Sequence, residues 1–119
     1  MTEAKFYVKN GCLCLKMTGH SASAPKGEDL VCAGASTLAM TLAANVSMMK
    51  VHGKLEKEPR IILRSGHALI RAKPKEEYRG ELLMLFSMIQ VGMYQLKTNY
   101  PEYFNSIPFD YADVQAFSE

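Results

Sequence analysis

The stretch GHSASAPKGEDLVCAGAS, Gly19 to Ser36, sets a histidine at the head of a Gly/Ser/Pro-rich run and a cysteine just inside a small-residue helical run. His20 and Cys32 are the residue types of a nucleophile and its base. A thiolate, not a thiol, attacks a carbonyl, and a free cysteine with a pKa of about 8.5 is only a few per cent ionised at neutral pH. A helix N-terminus and a nearby imidazolium each raise that fraction. With Asp29 as N-cap, Cys32 becomes the third helical residue, among free backbone N–H groups. Those groups, Cys32's own included, would form an oxyanion hole for acyl transfer. His20 lies on the loop leading into this helix and could fold back beside the thiol.

Helical geometry supports a position at the rim of the core. Measured from the apolar line through Val31, Cys32 is turned by about 100°, between the buried and polar sides. Ala39 and Ala43 share its line, so nothing bulky stands over the sulfur. Gly19 and Gly27 bracket Ser21, Ala22, Ser23, Ala24, Pro25 and Lys26, small or polar residues that cannot build a core. Such a loop is either a plain connector or a flap that orders over a ligand.

Plainer readings stand beside these. A helix cysteine in a reduced protein is commonly packing, a loop histidine commonly surface, and Asp29 a cap before it is a catalytic member. Cys12 and Cys14 share one strand face, expected inward. His52 and His67 sit near turns and read as exposed. Tyr94, Tyr100, Tyr103 and Phe104 read as core or dimer contact, or as the lining of a pocket for an apolar side chain. Cys12, Cys14, His20 and Cys32 supply zinc-type ligands. A C-x-C pair on a strand is a poor chelate, however, and the C-x2-C turn is absent. No metal is assigned.

The elements that must position these residues follow from periodicity. AKFYVK, the turn Asn10-Gly11 and CLCLKMT make a hairpin over residues 1–18. After the loop at 19–27, a helix over 28–50 buries Val31, Leu38, Leu42 and Met49. A second hairpin spans 60–73, turning at Ser65-Gly66, and a second helix over 75–100 carries the stripe Leu82, Phe86, Ile89, Met93 and Leu96. The tail over 101–119 shows no clear period. The expectation is one small two-layer α+β domain in the order β-β-α-β-β-α, a mixed or antiparallel sheet packed on two helices.

A chain of 119 residues is one domain by length. The net charge is +2 and the basic residues are spread along the chain, which gives no electrostatic footprint of a nucleic-acid binder. No direct nucleic-acid partner is expected, and no membrane, since no run of about 18 apolar residues occurs. The start MTEAKFYVKNG runs straight into a strand with no signal-type apolar region. A cytoplasmic protein with reduced cysteines is the expectation.

The run TGHS…GEDLVCAGAS strongly resembles the ribosomal-processing cysteine proteases of bacteria: a Gly-His pair, a short variable loop, then Gly-x-Asp-(Ile/Leu)-Val-Cys-Ala-x-x-Ser. Gly19, His20, Gly27, Asp29, Leu30, Val31, Cys32, Ala33 and Ser36 occupy those positions. The order of elements and the YPEYF run extend the resemblance loosely over most of the rest. It implies a small cytoplasmic homodimer that removes a short N-terminal extension from large-subunit ribosomal protein twenty-seven, with no cofactor. Cys32 would be the nucleophile and His20 its base and then acid, with Asp29 a cap or support and Ser36 a structural member. The loop from His20 to Gly27 would close over an extended peptide. The other class of function compatible with the residues is a non-catalytic ribosome-assembly or peptide-binding module.

Overall fold

The computed structural model describes residues 1–19 and 26–119, with the side chains of residues 26–28 left out. Strands β1 (Thr2–Lys9) and β2 (Cys12–Thr18) form the first hairpin. Its turn puts Asn10 at φ 52° and Gly11 at φ 77°, left-handed values that Asn and Gly accept and that match the twist of the flanking strands. Helix α1 runs over Lys26–Val51, followed by the hairpin β3 (Arg60–Arg64) and β4 (His67–Ala72). A 3₁₀ turn over Glu76–Tyr78 leads into α2, Arg79–Asn99.

The expected second helix thus starts later than residue 75. Pro74 is buried and bridged to Leu55, and the tight turn intervenes before α-helical bonding begins. The tail that showed no period is ordered structure: strand β5 (Phe104–Ile107) and helix α3 (Tyr111–Ser118), the latter capped by Asp110. A four-residue strand is too short to display alternation against noise, and its pairing is with β1, at the far end of the chain.

The sheet has five strands in the order β3-β4-β2-β1-β5, antiparallel except for the β1–β5 pair. It is the mixed α+β architecture expected, enlarged by a strand and a helix. Val31, Leu42, Val46 and Met49 of α1 and Leu82, Phe86, Ile89 and Met93 of α2 are buried with Ala4, Phe6, Leu13, Leu15, Met17 and Ile70 of the sheet. Leu38 and Leu96 of the expected stripes are half-buried against the same core. By length and composition Asp29–Val51 could cross a membrane, but here its apolar line is the core seam. The two helices meet closely at Gly92, where an added Cβ would stand 2.9 Å from Leu38 Cδ2. Phe109 closes one end, its ring 5.4 Å from Phe6 and 6.2 Å from Phe86.

Cys12 and Cys14 do share a face and are buried, at 4% and 0% exposed. That face is not the inward one. Leu13, Leu15 and Met17 point to the helices, and the period of two turns Cys12 and Cys14 to the opposite side.

Candidate active site

Cys32 sits on α1 above the end of the sheet where β1 begins and β2 ends. Its thiol is half-buried, while Val31 beside it is 1% exposed and Ala39 and Ala43 further along are buried. This is the rim position that helical periodicity predicts.

One expectation about the helix needs correction. α1 begins at Lys26, so Asp29 is a helical residue and not the N-cap, and Gly27 and Lys26 belong to the helix and not to the loop. Cys32 therefore lies in the second turn, where its own N–H enters the i→i−4 ladder and cannot serve as an oxyanion donor. The positive end of the helix acts mainly within the first turn. The helix N-terminus thus loses most of its claim to ionise the thiol. The cause is ordinary: Lys, Gly, Glu and Asp show no apolar period, so nothing in KGED marks the start.

Among the described residues, the sulfur's hydrogen-bonding neighbour is one that sequence reasoning missed. The hydroxyl of Thr2 donates to the carbonyl of Gly19 at 2.7 Å, and its oxygen lies 3.2 Å from Cys32 Sγ. With that one proton committed to Gly19, Thr2 accepts from the thiol. Thr2 is 3% exposed, and its N–H is held by the carbonyl of Tyr103 at 3.0 Å. Gly19 has φ 94°, and a side chain there would strike the Met1 carbonyl. Only glycine lets β2 end this close to β1. No local motif marks Thr2; the signal is its place in a sheet that unites both ends of the described chain.

These groups open onto a cleft of about 410 Å³ between α1 and the β3–β4 turn. Its apolar walls include Met17, Ala39, Met40, Leu63 and Ala68, and Asp29 and Ser36 line it from the helix. Asp29 and Ser36 are exposed, so Ser36 is a wall residue and not a packed structural member. His67, read as exposed, is half-buried at the first position of β4 and also borders the cleft; His52 is exposed as expected. The aromatic group divides: Phe104 is core, Tyr103 half-buried, and Tyr94 and Tyr100 exposed, none of them in this cleft. His20 and the loop Ser21, Ala22, Ser23, Ala24 and Pro25 lie outside the described residues.

The three cysteines cannot act as one ligand set, because the sheet separates Cys32 from Cys12 and Cys14. Burial pushes the Cys14 thiol up to about 11, with the neighbouring Cys12 adding to the rise and Arg71 opposing it. Cys14 is a protonated, inert thiol at neutral pH, which leaves Cys32 as the cysteine that faces a cleft.

A small two-layer α+β protein with a half-buried thiol on a core helix, open to an apolar cleft, has the layout of a thiol hydrolase. The sequence profile of the family "cysteine protease Prp" matches residues 1–105, and the chain belongs to that family of cysteine proteases. Among solved structures it resembles SMU.848 from Streptococcus mutans, at 26% identity and a TM-score of 0.63, over 92% of this chain and 96% of that one. It also resembles the essential ribosomal processing protease Prp from S. aureus in complex with a substrate peptide, at 21% identity and a TM-score of 0.65 over 92% and 100% of the two chains. The same S. aureus protease with a covalently linked product peptide gives 24% identity and a TM-score of 0.63, with the same coverage. A sequence comparison with curated proteins finds no match. The last helix, Tyr111–Ser118, lies beyond the residues the family profile matches.

Proposed function

We propose that this protease is a ribosomal-processing endopeptidase that removes an N-terminal extension from large-subunit ribosomal protein twenty-seven, with Cys32 as nucleophile and His20 as general base and acid. The observation that carries the catalytic assignment is the chain of contacts from Cys32 Sγ through the Thr2 hydroxyl to the carbonyl of Gly19. His20 follows Gly19 directly in the sequence, and the tie between Gly19 and the sulfur supports its assignment as the base.

In this mechanism an extended peptide lies in the cleft with an apolar side chain against Met17, Leu63 and Ala68. His20 takes the thiol proton and Cys32 Sγ bonds to the scissile carbonyl carbon. The tetrahedral intermediate collapses as His20 gives its proton to the leaving amine, leaving a thioester on Cys32. Water, deprotonated by His20, releases the second product and regenerates the thiol. Thr2 is a positioning residue: it fixes the sulfur's rotamer and holds the resting proton. Asp29 supports the site from the helix, and residues 21–25 close over the peptide. The protein works in the cytoplasm as a homodimer, for which Met84, Met88 and Val91, exposed along α2, supply an apolar face.

The test is mass spectrometry of the ribosomal protein bearing its extension after incubation with the wild type and with Cys32→Ala. One cut by the wild type alone supports the reading. No cut by either folded protein assigns the protease a different substrate.

A further inference from the structure

We propose that the open face of the sheet, opposite the helices, binds single-stranded RNA. The basic residues that look dispersed along the chain are gathered there by the period of two. Lys5 and Lys9 of β1, Lys16 of β2, Arg71 of β4, and Arg60 and Arg64 of β3 all fall on this face. Arg71 is half-buried and the other five are exposed. Glu3 is the carboxylate that shares the face, and it is engaged by the Asn105 side chain at 3.2 Å. The ion pairs among the described residues use other cations, Lys50, Lys54, Lys73 and Arg79.

The arrangement works against stability. Lys5 stands directly opposite Lys16, and Arg60 directly opposite Arg71. Like charges at paired sheet positions repel, and a face needing only solubility would alternate signs. The paired cations stand about 5 Å apart across strands, while Lys5 and Lys9, and Arg60 and Arg64, lie about 13 Å apart along theirs with Tyr7 and Ile62 between them. A face of six cations at these spacings is complementary to a polyanion.

Its other side chains favour single-stranded RNA over an acidic protein or a lipid surface. Tyr7, half-buried with Lys5 Nζ 5.9 Å from its ring centre, and His67 stand among the cations, and three of the cations are planar guanidinium groups. Basic groups interleaved with flat rings follow a backbone and stack unpaired bases. The row Arg64–His67–Thr18 also borders the Cys32 cleft, so bound RNA would lie beside the catalytic opening. The charge argument is independent of which protein is cut.

The experiment is a fluorescence-anisotropy titration of the full chain with a fluorescein-labelled 20-nucleotide oligouridylate at several salt concentrations. Binding should weaken with salt, and Lys5→Glu with Lys16→Glu should weaken it at least tenfold. The logarithmic salt slope should fall by roughly 0.7 for each phosphate contact removed. Lys50→Glu with Lys75→Glu, on the helix side, should stay within twofold of wild type, and circular dichroism should match across all three proteins. The proposal is overturned by an absence of salt-dependent binding or by equal weakening in the two variants. It is equally overturned if polyglutamate, phosphatidylserine vesicles or duplex RNA bind as tightly as the oligouridylate.

Discussion

Removing the Cys32 sulfur costs little packing, because the thiol is half-buried at the edge of a cleft. Cys32→Ala should abolish peptide cleavage while shifting Tm by no more than a few degrees, as read by calorimetry; a collapse of Tm would make the residue a core thiol. Thr2→Val removes the hydroxyl at nearly constant volume. Losing one hydrogen bond of about 1–1.5 kcal/mol should cut kcat/KM roughly tenfold, with Thr2→Ser restoring most of it; equal loss in both would deny the hydroxyl a positioning role. Cys14 gives a pH test with a definite sign. Its folded pKa is raised to about 11 from a reference of 9.0, so the folded state holds the proton longer than the unfolded one. The associated stability is complete below about pH 9, declines as pH rises and is gone above about pH 11. Denaturant midpoints should fall across that window in the wild type and fall less in Cys14→Val. At this scale the rim position of Cys32 was readable from 3.6-residue spacing alone. Thr2 was not, since it meets the sulfur through pairings between residues distant in the chain.

The helices and strands that spacing reveals are those with a strong apolar period. The α1 stripe through Val31 and Leu42 and the α2 stripe through Leu82, Phe86 and Met93 are core as expected, and the Asn10-Gly11 turn is where a two-residue hairpin needs it. What spacing hides is the polar start of α1 and the short β5. The crossing of α1 and α2 depends on the absence of a side chain at Gly92, with Leu38 packed against it. Gly92→Leu should destabilise the protein by about 1–3 kcal/mol through overpacking, measured by urea denaturation. Gly92→Ala should be near neutral, because the gain in helix propensity of about 1 kcal/mol offsets a small shift of the Leu38 methyls. A large loss from Gly92→Ala would mean that the crossing cannot give.

Across the whole molecule the sheet is the organising object. One side carries the core and the thiol, and the other carries Cys12, Cys14 and the cations. That division cannot be read from charge counts, since strand alternation spreads a one-sided surface evenly through the sequence. It also takes apart the three cysteines of the zinc-like set, with Cys32 on one side and Cys12 and Cys14 on the other. α3 joins this layout through Phe117, 8% exposed in the core cluster, and Arg79 reaches the Glu119 carbonyl at 3.1 Å. Phe117→Ala should cost about 3 kcal/mol or more, seen as a lower urea midpoint; no change would show that α3 is an appendage and not part of the core.

The strand β5 has a consequence for timing. It pairs with β1 in parallel, and the carbonyl of Tyr103 holds the N–H of Thr2, whose hydroxyl touches Cys32 Sγ. During synthesis Cys32 leaves the ribosome early, but the clamp that orders its neighbour arrives only with residues 103–107. Such long-range closure forms late. A nascent chain would carry a loosely placed thiol through most of translation and acquire an aligned one near the end; with Cys32 as the proposed nucleophile, the topology would hold back proteolysis until the sheet is complete.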